Sequence, residues 1–138
     1  MDVAGERGGL TFRDLALAVL ARAGEPIRID PHRKNLHAAF HAGLSSNAEL
    51  LNGLLTERVM FNRWRGGPAS EHLDDALDDL LFFELARESK DSLEISERGR
   101  KFLQEELSEL EGSARSLLDE VAHAILEKAR GESKREKA

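Results

Sequence analysis

Residues 70–100 read SEHLDDALDDLLFFELARESKDSLEISERGR, and the reading of this stretch decides the fold. Ser70 is a residue that caps helices, and Leu73, Leu77, Leu80 and Leu81, with Ala76 beside them, return at helical spacing, so an amphipathic helix is predicted from Glu71 to Phe83. Acids fill most of its opposite face: Glu71, Asp74, Asp75, Asp78 and Asp79. The pattern then changes to that of a hairpin, with Leu85 to Arg87 going out, a polar tip at Glu88 to Asp91, and Ser92 to Ile95 coming back. Ser96 caps the next helix, which opens Glu97-Arg98-Gly99.

Toward the N-terminus, Thr11 precedes Leu15, Ala16, Val19 and Leu20, Asp14 favours the dipole of the first turn, and Gly24 supplies a left-handed stop. A first helix is predicted from Phe12 to Ala23. Pro26 to Asp30 reads as a short extended piece, and Asp30-Pro31 as the start of a second helix that runs to Ala42, with Leu36, Ala39 and Phe40 inward and Gly43 beyond its end. A third helix opens at Ser46-Asn47, carries Leu50, Leu51, Leu54 and Leu55, and ends near Glu57. Residues Arg58 to Arg65 read as extended, because Val59, Phe61 and Trp64 have strand-like preferences and Gly66-Gly67-Pro68 stops a helix.

Toward the C-terminus, Leu103, Leu107, Leu110, Ala114, Leu117, Val121 and Ala124 step by four and three, the spacing of a coiled-coil seam. Gly112-Ser113 interrupts it, which leaves both one long bent helix and two antiparallel helices open. Because each buried leucine contributes roughly 1.5–3 kcal/mol, the stripe calls for a partner surface, and a homodimer through Leu103, Leu107, Leu110, Leu117 and Val121 is expected unless the last helix folds back. Gly131 to Ala138 reads as a disordered charged tail. The expected organisation is therefore a flexible start at 1–9, one domain at 10–107, a helical extension at 108–130 and a tail at 131–138.

The chain has 138 residues, which excludes two full enzyme domains. It has no cysteine, which removes disulfides, thiolate metal sites and cysteine nucleophiles. No apolar run reaches the ~20 residues of a membrane span, and Met1 to Gly9 lacks the core of a signal peptide, so the expectation is a cytoplasmic protein without membrane contact. Residues 1–70 hold 9 basic and 7 acidic side chains, whereas 71–130 hold 8 and 17, so the two halves face different surroundings. Arginine outnumbers lysine 14 to 6, a lean shared by proteins of high-temperature and of GC-rich organisms, between which composition does not choose.

Helix, short strand, helices, hairpin and closing helix is the order of a winged helix-turn-helix domain. The stretch Leu93-Glu94-Ile95-Ser96-Glu97-Arg98-Gly99-Arg100 resembles the strand and T/S-E-x-G-R helix start that follow the wing in such proteins. A second likeness covers Leu10 to Leu107: Pro26-Ile27-Arg28, Phe61 to Trp64, and Gly67-Pro68-Ala69-Ser70 are similar to the SocA/Panacea-type, YwgA-like domains. Ala69 stands where that pattern has an aromatic residue, and Glu84 where winged helices commonly turn on glycine. The resemblance implies a mainly α protein with a small β wing and a C-terminal helical extension, acting as a regulator or antitoxin-like binding protein without catalytic residues.

Two functions are expected from this. The first is a DNA-associated, transcription-regulator-like role. Its acidic helix is unsuited to the major groove, because carboxylates near phosphates replace counterion release with repulsion, so DNA would have to be met by Arg28, Arg33, Lys34, Arg58, Arg63 and Arg65, with Trp64 able to stack on a base. Pairing of these arginines with the acids of the helix is the alternative use for them. The second is a protein-interaction module of antitoxin or adaptor type, in which Glu71, Asp74, Asp75, Asp78 and Asp79 meet a basic partner. His37 and His41 stand one helical turn apart with His32 near, but two imidazoles without a third ligand at fixed spacing do not make a metal site, and they are read as packed or surface residues. No cofactor and no enzymatic activity are expected, since Gly66-Gly67-Pro68 lacks the lysine of a phosphate loop and no serine sits in a nucleophile elbow.

Overall fold

The computed structural model describes residues 11–46, 61–64, 67–110 and 112–137, with side chains for all of these but 63, 64, 67 and 132–137. The chain is mainly helical with a small antiparallel sheet. In order, α1 is Phe12–Ala23, β1 Ile27–Arg28, α2 Lys34–Ser46, β2 Asn62–Trp64, β3 Gly67–Ala69, α3 Glu71–Phe82, β4 Ala86–Glu88, β5 Ser92–Ile95, α4 Glu97–Ser108 and α5 Gly112–Lys137.

Helix α1 is the centre of the molecule. Its start is a capping box: Thr11 Oγ1 accepts from the Asp14 amide at 3.2 Å, and Asp14 Oδ2 accepts from the Thr11 amide at 3.3 Å. Phe12 and the unbroken run from Leu15 to Leu20 are buried, so α1 is covered all round, as a helix is when neighbours pack on every side. Those neighbours are α3, α4, α5 and β5.

The hairpin β4–β5 forms as the sequence predicts, with Ala86 opposite Ile95 and Glu88 opposite Leu93. Strand β1 pairs with β5, Ile27 opposite Leu93, which gives the sheet order β1-β5-β4. Ser96 ties hairpin to helix: its Oγ accepts from the Gly99 amide at 3.0 Å and donates to the Glu84 carbonyl at 2.6 Å. Glu84 takes the left-handed turn that ends α3, at φ 61, so the position is a glycine-type cap filled by a glutamate.

Three expectations are corrected. Asp30-Pro31 opens only a 3-10 turn, Pro31–Arg33, with His32 left-handed at φ 60, and the α-helix α2 begins at Lys34. The Asp30 carboxylate caps nothing, and the Asp30 amide instead donates to Asn35 Oδ1 at 2.9 Å. Gly43 does not end α2, which continues to Ser46, because Ile125 of α5 packs where a Cβ of residue 43 would stand. Gly67-Pro68 does more than stop a preceding element: Gly67–Ala69 is a strand paired with Asn62–Trp64, and proline is tolerated in so short an outer strand. Of the expected third helix, Ser46 is the last residue of α2, and 47–57 lie outside the described residues, as do 1–10.

At the seam the structure takes the fold-back that the sequence leaves open. The chain breaks between Ser108 and Gly112, and α5 then folds back onto α2 and α1. Its buried stripe is Leu118, Val121, Ala122, Ile125, Leu126 and Ala129. Leu103, Leu110 and Val121 lie in the chain's own core, and Leu107, Ala114 and Leu117 pack partly buried against it. The apolar surface that called for a second chain is thus covered within one. Arg22 pins α5 to α1, donating to Asp119 Oδ1 at 2.5 Å and to His123 Nδ1 at 3.1 Å. Leu110, Leu118, Val121, Ala122, Ile125, Leu126 and Ala129 belong to the same hydrophobic cluster as Phe12 and Leu103, and the backbone of α5 runs on to Lys137. Among the described residues no helix is long and apolar enough to cross a membrane.

Candidate functional site

Helix α3 holds the side chains that the sequence singles out. Ser70 Oγ accepts from the Leu73 amide at 3.3 Å, and Leu73, Ala76, Leu77 and Leu80 are buried against the core, which fixes the roll of the helix. Glu71, Asp75, Asp78 and Asp79 consequently face out. Phe82 lies on the same face, since 71, 75, 78 and 82 step by four, three and four. Phe82 is 79% exposed and Phe83 46%, and their rings meet edge to face with centroids 5.0 Å apart.

Asp74 is turned toward α2, and there Arg33 gathers the acids. Its Nη1 is 3.2 Å from Asp74 Oδ1, its Nη2 3.0 Å from Asp78 Oδ1 and its Nε 3.3 Å from Glu88 Oε2. One guanidinium therefore joins the turn after β1, the helix α3 and the hairpin, with only 14% of its side chain exposed. Burial pulls its pKa down, but the hydrogen bonds and charges of Asp78 and Glu88 outweigh that, and the pKa is raised above the ordinary arginine value. His37 completes the junction. Its Nδ1 accepts from the Ser70 amide at 3.0 Å and its Nε2 lies 3.1 Å from Asp74 Oδ1, so the tautomer with the proton on Nε2 makes both bonds.

Two depressions flank α3. A polar one of about 390 Å³ lies among Asp30, His32, Arg33, Asp74, Glu88 and Lys90. A more apolar groove of about 630 Å³ lies beyond the other end of the helix, between Phe83, Leu85 and Phe102, and is lined also by Arg13, Glu97, Arg98, Lys101 and Glu105. Arg13 lies over the Phe102 ring, 5.6 Å from its centroid.

Of the basic residues expected to meet DNA, the side chains of Arg28, Arg33 and Lys34 are described. Arg33 is taken up by the acids, the alternative use that the sequence leaves open for it. Arg28 on β1 and Lys34 at the start of α2 are exposed. Residue 63 is placed in β2 by its backbone, and Arg58 and Arg65 lie outside the described residues. His37 and His41 part company: His37 is buried on Ser70 and Asp74, while His41 is exposed and packs edge to face on Phe61, centroids 5.1 Å apart. Among the described residues no group of three or more histidines and acids stands where it could hold a metal ion.

Phe82 and Phe83 are absent from the sequence-based candidates. The signal was available, since the roll set by Leu73, Leu77 and Leu80 places position 82 opposite the core. Compared with protein-family models, with curated proteins and with solved structures, the chain matches none.

Proposed function

We propose that this chain is a non-enzymatic winged-helix protein that acts as a protein-interaction module, of antitoxin or adaptor type, presenting the outer face of α3 to a basic partner. The winged-helix part is supported by the sheet order β1-β5-β4 with α2 and α3 before the hairpin, the arrangement in which the first strand joins the returning strand of the wing. The observation that carries the functional part is the charge on the helix at the position that enters DNA in such domains. Glu71, Asp75, Asp78 and Asp79 are all exposed there, and Arg33 beside them is held by three carboxylates. A face of this sign is repelled by phosphates and attracted to a basic surface, where complementary charge speeds encounter and selects partners.

The transcription-regulator reading rests on the order of elements alone, and fold order does not fix function. The two readings separate in one titration at low salt, with a labelled duplex DNA and a labelled lysine-rich peptide as probes. The expected result is peptide binding that weakens with salt and is lost in Asp75→Lys/Asp79→Lys, with no binding of the duplex. Duplex binding that is salt-dependent and lost on charge reversal of Arg28, Arg63 and Arg65 would overturn this reading in favour of the regulator.

A further inference from the structure

The acidic face does not end in charge. Glu71, Asp75 and Asp78 lead along one line of α3 to Phe82, a span of about 16 Å at 1.5 Å per residue, which matches three turns of an opposing helix. A phenylalanine 79% exposed on the outer face of a helix whose inner face is fully packed is not required by the fold. Phe83 stands against it edge to face and forms one wall of the groove that continues to Leu85 and Phe102. Charge and apolar surface are therefore arranged in sequence along a single ridge.

We propose that Phe82, braced by Phe83, is the apolar anchor of a docking face whose occupant is a basic amphipathic helix of a partner protein. This rests on the interaction reading above and adds to it the shape of the partner and the side chains that hold it. Charge complementarity names the occupant: lysines or arginines at helical spacing face Glu71, Asp75, Asp78 and Asp79, and one aliphatic side chain of the same helix closes over the Phe82 ring. An exposed aromatic of this kind is the usual centre of binding energy, while the charges around it set orientation and rate. Phe83 already touches Phe82, so the anchor is partly ordered before the partner arrives.

The test uses the full chain and two synthetic helical peptides that share a lysine face, one carrying leucines at every third and fourth position and the other alanines there. Affinities come from fluorescence anisotropy at low salt. The leucine peptide is expected to bind the unaltered chain about tenfold tighter than the alanine peptide, and Phe82→Ala is expected to erase that difference while leaving alanine-peptide binding where it was. Because position 82 is exposed, Phe82→Ala keeps the thermal midpoint of the unaltered chain, which a melt confirms. A leucine preference that survives in Phe82→Ala/Phe83→Ala overturns the anchor and leaves the acidic-face reading standing. Absence of binding by both peptides, or binding indifferent to Asp75→Lys/Asp79→Lys, overturns the acidic-face reading and the anchor with it.

Discussion

Arg33 Nη2 lies 3.0 Å from Asp78 Oδ1, and the same guanidinium reaches Asp74 and Glu88, although Arg33 itself sits in a left-handed backbone conformation at φ 57 directly after His32 at φ 60. Two consecutive residues in that region are strained, and the ionic junction is what offsets the strain. Replacing Arg33 with alanine is expected to cost about 1–2 kcal/mol, less than a fully buried pair because the acids are partly in water. Lysine is expected to recover little, since an ammonium cannot match the forked donors of arginine. The raised pKa sets the alkaline limit: this contribution is fully present below the ordinary arginine pKa and is lost only as pH rises through the higher folded value. Urea titrations of the three proteins check the order arginine, lysine, alanine.

Glu84 occupies the left-handed position after α3, where the Leu85 amide donates back to the Leu80 carbonyl at 2.8 Å and the Glu84 amide to Leu81 at 3.1 Å. A glycine there adopts φ 61 without a Cβ clash. Glu84→Gly is therefore expected to stabilise the fold by about 0.5–1 kcal/mol, the relief of strain exceeding the added freedom of the unfolded chain. A lower thermal midpoint than that of the unaltered chain would contradict the cap.

Local signals were legible in the sequence where they met no competition. Ser70 and Ser96 cap helices as read, and the hairpin and the roll of α3 follow from alternation and leucine spacing. What failed was decided by distant residues. Asp30-Pro31 carries a start signal that is overridden when Arg33 is drawn to Asp74, Asp78 and Glu88 and Asn35 takes the Asp30 amide. The seam leucines left both a second chain and a fold-back of the last helix open, because spacing reports an apolar stripe without saying what covers it. Within the site, the acids were legible by type, whereas the capture of Arg33 depends on a turn and a hairpin far apart in sequence.

Gly99 makes the first turn of α4 possible. A Cβ at this position would lie 2.8 Å from Ile95 Cγ1 and closer still to the Leu85 carbonyl oxygen, which already accepts from the Ser96 amide. A backbone carbonyl in that position cannot swing aside as a flexible side chain can. Gly99→Ala is expected to cost about 1–3 kcal/mol despite the higher helix propensity of alanine. A denaturation midpoint equal to that of the unaltered chain would show that hairpin and helix do not approach so closely.

Gly43 and Ile125 place α5 against α2 with no room for a side chain between them. Gly43→Ala should therefore cost about 1–3 kcal/mol by overpacking, and Ile125→Ala, which removes the Cγ1 that the new Cβ would meet, should return part of that loss, so the double variant is more stable than the two separate costs imply. Ile125→Ala alone removes a fully buried side chain, and about 2–5 kcal/mol is expected. If α5 packs within its own chain, these costs are the same at every protein concentration. A seam shared between two chains would instead make the unfolding midpoint rise with concentration. Thermal melts of the unaltered chain and of Ile125→Ala across a wide concentration range therefore decide whether Leu118, Val121 and Ile125 serve one core or join two molecules, and concentration independence is the outcome that the fold-back of α5 requires.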